Sequence, residues 1–319
     1  MPDFVVKLAA WFAPEDRSVA AGRSMVEQEL VPRRCDGMDQ VSASVRPAWA
    51  VLVSIALLAG CSGQEAAPAP TAPRADVALP PSPAVLDYQL AAAYPPSAGV
   101  TLVARDSTAS PAPGVHNVCY VNGFQTQPQD RELWLTQRGH LVLKDSGGEP
   151  VIDPDWPDEL LVDTSSPSNR DELARLVGES ITRCADRGFQ SVEIDNLDSY
   201  SRSGDRLTAE HNLAFAALLS ARAHDRGLPI GQKNSAEISR RAHDEVGFDF
   251  AVTEECHAFN ECSTYTDVYG AHVMDVEYTD NLRGTFAEVC ADPATPRTTT
   301  LRDRMLVGPE NPDHVFQHC

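Results

Sequence analysis

Two short runs of this 319-residue chain hold its candidate chemistry. Val192-Glu193-Ile194-Asp195-Asn196-Leu197-Asp198-Ser199-Tyr200 alternates apolar and acidic residues before turning polar, and Thr253-Glu254-Glu255-Cys256 closes another apolar run. In a strand, alternation sends Glu193 and Asp195 to the same side. Two acids on one face of an apolar strand are costly unless they line a wet cavity or pair with cations, which favours a functional site over a structural salt bridge. If both runs end at one mouth, Glu254 opposes Asp195 across a bound chain. Two opposed carboxylates are the minimal equipment for glycoside hydrolysis: one attacks the anomeric carbon or activates water, and the other, kept protonated, gives a proton to the departing oxygen. Spacing alone is a weak signal in so acidic a chain, where a solvated loop competes on equal terms. Gln232-Lys233-Asn234 lies between the two runs. At a rim, Lys233 would hold a nearby carboxylate ionised and favour a nucleophile over an acid. Tyr120, Trp156, Tyr200 and Tyr278 are available to stack on sugar rings.

These side chains need a frame, and three segments share one grammar of amphipathic helix, glycine stop, bulky apolar residue and short strand. The first runs from Ser168 through Leu173, Leu176, Val177, Ile181 and Cys184 to Gly188-Phe189 and the strand 191–195, with Asn169 and Glu172 as a capping box. The second runs from Thr208 to Gly227-Leu228 and the strand 229–234. The third runs from Ser235 to Gly247-Phe248 and the strand 249–254. Helices alternating with short apolar strands imply parallel β-structure with right-handed crossovers. Further strands are expected at 85–91, 100–105, 117–122, 159–163 and 272–277, making eight. No Gly-x-Gly-x-x-Gly or P-loop follows any of them, so a closed (β/α)8 TIM barrel is favoured over an open nucleotide-binding sheet. In such barrels chemistry sits at the strand ends, which here carry Asp106, Asn122, Asp163, Asp195, Lys233, Glu254 and Glu277.

Metal chemistry competes through the adjacent Glu254, Glu255, Cys256 and His257, with His211, His224, His243 and His272 also available, but none of these forms a His-x-x-x-His or Cys-x-x-Cys spacing, and no metal or other cofactor is expected. No Gly-x-Ser-x-Gly elbow is present. The formal net charge of −20, with lysine only at positions 7, 144 and 233, argues against nucleic-acid binding.

Ala48 to Gly60 is an uncharged apolar run preceded by Arg46 and followed by Cys61. It is too short to span a bilayer but suits a secretory signal, and Leu58-Ala59-Gly60-Cys61 resembles a bacterial lipobox, so lipidation at Cys61 is expected. Residues 1–37 then lie upstream of an ordinary signal, with translation starting at Met38 or Met25. Residues 38–60 form the signal, 61–84 the lipidated cysteine and a Pro/Ala-rich tether, and 85–319 the catalytic domain of an exported, membrane-anchored monomer. Outside the cell six cysteines read as disulfides. Of fifteen connectivities, Cys119 with Cys184, Cys256 with Cys262, and Cys290 with Cys319 are favoured.

Taken in order, Tyr88-Gln89-Leu90, Val118-Cys119-Tyr120, Leu161-Val162-Asp163, Val192 to Asp198, Gln232-Lys233-Asn234, Phe248 to Glu254 and Glu277-Tyr278 resemble glycoside hydrolase family 114, the endo-α-1,4-polygalactosaminidases, over about residues 85 to 306. The resemblance implies a (β/α)8 hydrolase that cuts α-1,4-galactosaminidic linkages inside an aminosugar polysaccharide. It implies Asp195 as nucleophile and Glu254 as acid/base, with Tyr120, Asp163, Asn196, Asp198, Tyr200, Lys233, Asn234, Glu277 and Tyr278 expected to meet substrate. An acidic mouth suits a cationic aminosugar chain. The alternative from a different class is a surface lipoprotein that binds polysaccharide without cutting it.

Overall fold

The computed structural model describes residues 77–319, so the expected signal, the Cys61 lipidation site and most of the tether lie outside the described residues. Nine strands form one sheet in sequence order. They are β1 (Leu86–Gln89), β2 (Leu102–Asp106), β3 (His116–Asn122), β4 (Ser191–Asp195), β5 (Ile230–Lys233), β6 (Phe250–Glu254), β7 (Val273–Tyr278), β8 (Thr298–Arg302) and β9 (Phe316–His318). The first eight are parallel, and β9 runs antiparallel to β8. The sheet nearly closes: Ala84 N donates to Thr298 Oγ1 at 3.0 Å, and the Arg302 guanidinium reaches Asp87 at 3.2 Å and the Tyr88 carbonyl, tying β8 to β1. This is the expected TIM-barrel architecture.

Helices fill the crossovers from β3 onward. α1 (Arg131–Gln137) and α2 (Pro167–Arg187) lie between β3 and β4, and α3 (Ala209–Asp225) lies between β4 and β5. A 3-10 turn (Ala236–Ile238), α4 (Ser239–Arg241) and a π-turn (Ala242–Val246) lead to β6. α5 (Cys256–Phe259) and α6 (Cys262–Tyr269) precede β7, and α7 (Phe286–Ala291) precedes β8. Gly188, Gly227 and Gly247, the three expected stops, adopt φ of 89°, 70° and 86°, a region that glycine enters without a Cβ penalty. The N-cap of α2 is Ser166, which accepts from Asn169 N, not the Asn169/Glu172 box; Pro167 starts the helix earlier than its apolar stripe implies.

Strand alternation divides the core. Leu86, Tyr88, Leu102, Ala104, Val118, Phe250, Val252, Met274 and Val276 fill the barrel. Val121, Val192, Ile194 and Ile230 face the helices and meet Leu173, Ile181, Phe215 and Leu219. Inside the barrel a Cβ on Gly231 would come within 2.4 Å of the Phe250 ring, so the aromatic occupies space that glycine leaves. None of the described helices is long and apolar enough to cross a membrane.

One expected strand is corrected. Residues 159–163 do not join the barrel; they make isolated bridges with Gln125, Val142 and Ile152 in an excursion between β3 and α2. The run is apolar because Leu160, Leu161 and Val162 are buried within that excursion. The eighth parallel strand is Thr298–Arg302, whose threonines concealed it. Its hydroxyls find partners as it is buried, Thr299 Oγ1 on the Pro296 carbonyl and Thr300 Oγ1 on the Gln317 carbonyl, both at 2.8 Å. The cysteines pair as favoured: Cys119–Cys184, Cys256–Cys262 and Cys290–Cys319.

Candidate active site

β5 delivers Lys233 into the barrel mouth at 2% side-chain exposure, where it meets the inward acids of its two neighbouring strands. Its Nζ lies 3.3 Å from Glu193 Oε1 and 3.5 Å from Asp195 Oδ1 on β4, and 3.3 Å from Glu254 Oε2 on β6. It also donates to the Tyr88 hydroxyl at 3.2 Å and sits 5.6 and 5.7 Å from the centroids of the Tyr88 and Tyr120 rings. Burial by itself favours the neutral amine, but Asp195, Glu254, Tyr88 and Glu193 outweigh it and hold the ammonium charged, well above the ordinary lysine value.

Three carboxyls share that cation and differ in access. Glu193 has no solvent exposure. Its Oε1 accepts from Tyr88 OH at 2.6 Å, and its Oε2 is buried without a partner. Burial pushes Glu193 up to about 7, with Lys233 opposing and Asp195 assisting. Asp195 and Glu254 keep 18% and 29% side-chain exposure, so these two face whatever enters the mouth. Asp195 accepts from Tyr120 OH and from the Asn196 backbone N–H, each at 2.7 Å. Glu254 accepts from Tyr278 OH at 2.5 Å and Asn234 Nδ2 at 3.0 Å. Burial acts to raise Glu254, but Lys233 and these two donors outweigh it and keep the carboxyl below its usual value. Because Lys233 touches both, the Asp195 and Glu254 oxygens are no farther apart than those two ion-pair contacts laid end to end, a bound that admits the close spacing of a retaining pair and the short end of the inverting range.

The backbone turns sharply just past each strand. Asn196, Asn234, Ser235 and Glu255 have φ of 65°, 49°, 65° and 63°, left-handed values that are uncommon outside glycine. Local contacts hold them. Asn234 Oδ1 accepts from Glu254 N at 2.8 Å, and Glu255 Oε1 accepts from Arg304 at 2.7 Å, which fixes where Glu254 leaves its strand. Arg304 also lies 4.4 Å from the centroid of the Tyr278 ring. The hydroxyls of Tyr120 and Tyr278 are thus committed to orienting the two exposed carboxylates.

Asn196 donates through Nδ2 to Asn122 Oδ1 at 2.9 Å, and Asn122 donates in turn to Glu159 Oε2 at 2.9 Å. Burial pushes Glu159 up to about 7, with Asn122 opposing and Asp195 and Asp153 assisting. Asp198 pairs with Arg202 at 2.7 Å, and Tyr200 OH donates to Glu237, placing both on the 3-10 turn after β4 (Leu197–Arg202). Two expected site residues are not brought to the mouth. Asp163 accepts from Ser165 and Asn169 at the start of α2, because its run is not a barrel strand. Glu277 has no solvent exposure and accepts from His257 N at 2.8 Å, because alternation on β7 turns it away from the inward Val276 and Tyr278. Asp106 accepts from Thr108 N and Oγ1 in its own turn. Cys256 and Cys262 lie beside Asp275 in a geometry that could hold a metal, but their sulfurs are joined to each other. Sequence reasoning placed Glu193 on the correct face without a role and missed Glu159 and Asn122 as partners, since a contact between an excursion and a strand end leaves no periodic signal.

A family model for glycoside-hydrolase family GH114 matches residues 66–319. Among solved structures, Aspergillus fumigatus Ega3 in complex with galactosamine superposes with a TM-score of 0.61 at 20% identity, covering 78% of this chain and 100% of that one. The glycoside hydrolase domain of PelA from Pseudomonas aeruginosa superposes at 0.50 with 16% identity, covering 72% of this chain and 97% of that one. No curated protein matches. These likenesses share the fold, and the model spans the barrel together with every residue around Lys233. The chain therefore belongs to glycoside-hydrolase family GH114 and is a glycoside hydrolase.

Proposed function

We propose that the protein cleaves internal α-1,4-galactosaminidic linkages of an aminosugar exopolysaccharide by a two-carboxylate mechanism. The observation that carries this is the convergence of Asp195 and Glu254, the two solvent-reaching carboxylates of the cluster, on the buried ammonium of Lys233. Asp195, oriented by Tyr120 and the Asn196 N–H, attacks the anomeric carbon. Glu254, on the strand beyond Lys233, protonates the departing oxygen and then takes a proton from the water that releases the sugar. Lys233 holds Glu254 ionised in the free protein, so the proton must arrive as the sugar chain covers the mouth and strips water from the carboxylate. Tyr120, Asn196, Asp198, Tyr200, Lys233, Asn234 and Tyr278 form the surrounding wall that meets substrate or holds the groups that do. The galactosamine bound to Ega3 and the acidity of this chain support a cationic aminosugar polymer as substrate. The enzyme acts outside the cell as a monomer, tethered through a lipid on Cys61.

Incubation with α-1,4-polygalactosamine and mass spectrometry of the products tests this reading. It expects a ladder of short galactosamine oligomers. Intact polymer, or monosaccharide released from one end without oligomers, would contradict it.

A further inference from the structure

The excursion between β3 and α2 carries a second recognition element beside the catalytic pair. At its tip Glu159 N donates to the Trp156 carbonyl at 2.8 Å, closing a four-residue turn that keeps these two residues close. The turn is clamped from below by Asp153, which is 1% exposed. Asp153 Oδ1 accepts from Asp155 N and Trp156 N, and its Oδ2 accepts from Arg202 Nε and Gln125 Nε2, both at 2.6 Å. Arg202 also grips Asp198 and Asn196 on the turn that follows Asp195. The excursion is therefore bolted to the end of β4. Glu159 is one hydrogen bond from Asn122, the register partner of Asp195 on the adjacent strand.

Two features of this turn are not fully accounted for by the fold. Trp156 is 49% exposed, although its backbone is fixed and a large indole in water forgoes burial. Glu159 is partly withdrawn from water yet receives one hydrogen bond among the described residues, from Asn122, and has Asp195 and Asp153 as like-charged neighbours against the single opposing influence of Arg202. The nearby cation, Arg202, directs its guanidinium to Asp153, Asp198 and Asn196 and makes no ion pair with Glu159, so an ammonium arriving with substrate supplies a partner that the turn does not.

We propose that the turn at residues 153–159 is a subsite for one protonated aminosugar unit, with the Glu159 carboxylate taking the 2-ammonium and the Trp156 ring packing on the pyranose face. The inference rests on the polygalactosamine reading above and adds the residues that select a free amine over an N-acetyl group. An acetamido group brings no charge to Glu159 and adds bulk at the same position, so it loses the charge-assisted bond. Indole stacking is indifferent to acetylation.

Steady-state kinetics of the full chain on α-1,4-polygalactosamine and on its N-acetylated form test it, with E159Q and W156A compared to the parent and melting temperatures confirming folding. E159Q is expected to raise KM for the free-amine polymer about tenfold while kcat stays within about twofold, and to leave KM for the acetylated polymer unchanged. W156A is expected to raise KM for any polymer the parent cleaves. Equal KM for E159Q and parent on the free-amine polymer overturns the subsite. So does a fall in kcat at constant KM, which makes Glu159 a positioning residue acting on Asp195 through Asn122. An unchanged KM for W156A overturns the stacking contact. A parent enzyme inert on polygalactosamine overturns the substrate reading itself, whereas an active parent with unaffected variants overturns the subsite alone.

Discussion

One ammonium serves three carboxylates at the mouth, and that imbalance governs the behaviour of individual residues. Lys233 cannot be removed without stranding Glu193, Asp195 and Glu254 around the space it leaves. Lys233→Met is expected to cost about 3–5 kcal/mol in denaturant unfolding, the scale for losing one partner of a buried ion pair; a loss under about 1 kcal/mol would show that the cluster is solvated. Glu193 makes stability depend on pH. Its folded value of about 7 lies above the unfolded value of about 4.3, so the folded protein binds the extra proton. The stabilisation is complete below the unfolded value and is lost as pH rises through the folded one. The protein should therefore melt at a higher temperature near about pH 5 than near about pH 8, and Glu193→Gln should reduce that difference, leaving the share that Glu159, also raised to about 7, contributes. A parent melting temperature that climbs from acid to neutral pH would contradict the assignment. Alternation made the shared face of Glu193 and Asp195 legible in the sequence. The meeting of Asp195, Lys233 and Glu254 was legible as soon as their strands were placed side by side. Glu159 was not legible, because Glu159 to Asp163 reads as a strand and its partner Asn122 is far away in the chain.

Among the elements, those with a clean helical stripe and a glycine stop were readable, and those stabilised by side-chain hydroxyls or by the excursion were not. α3 begins after Thr208, whose side chain and His211 form a reciprocal cap, and it ends where its glycine stop predicts. Thr298–Arg302 resembles a polar loop in sequence, yet each buried threonine has its hydroxyl partnered, on β9, on the segment before β1 and on Pro296 just ahead of β8. Leu160 to Val162 failed in the opposite sense, since an apolar run records burial and not the sheet that does the burying. The interior packing makes a sharper claim. Gly231→Ala would set a Cβ 2.4 Å from the Phe250 ring on the next strand, with the rest of the inner cluster behind it. Overpacking of this kind should cost about 1–3 kcal/mol of stability. Unchanged unfolding would mean that the barrel interior yields more than its packing implies.

At the scale of the whole molecule, a net charge of −20 surrounds a mouth whose proposed substrate is cationic. Long-range attraction of this kind is screened by salt, so KM for polygalactosamine should rise as salt goes from roughly 0.02 M to roughly 0.5 M, with kcat little changed. A KM insensitive to salt would assign the acidity to solubility alone. On the proposed mechanism the barrel holds one acid from β4 and one from β6 over the same linkage, and the most direct test is the rate of polygalactosamine cleavage by Asp195→Asn and by Glu254→Gln, each verified as folded by its melting curve. Both rates should fall by about a thousandfold or more. Near-parental cleavage by either folded variant would show that the chemistry belongs to other residues.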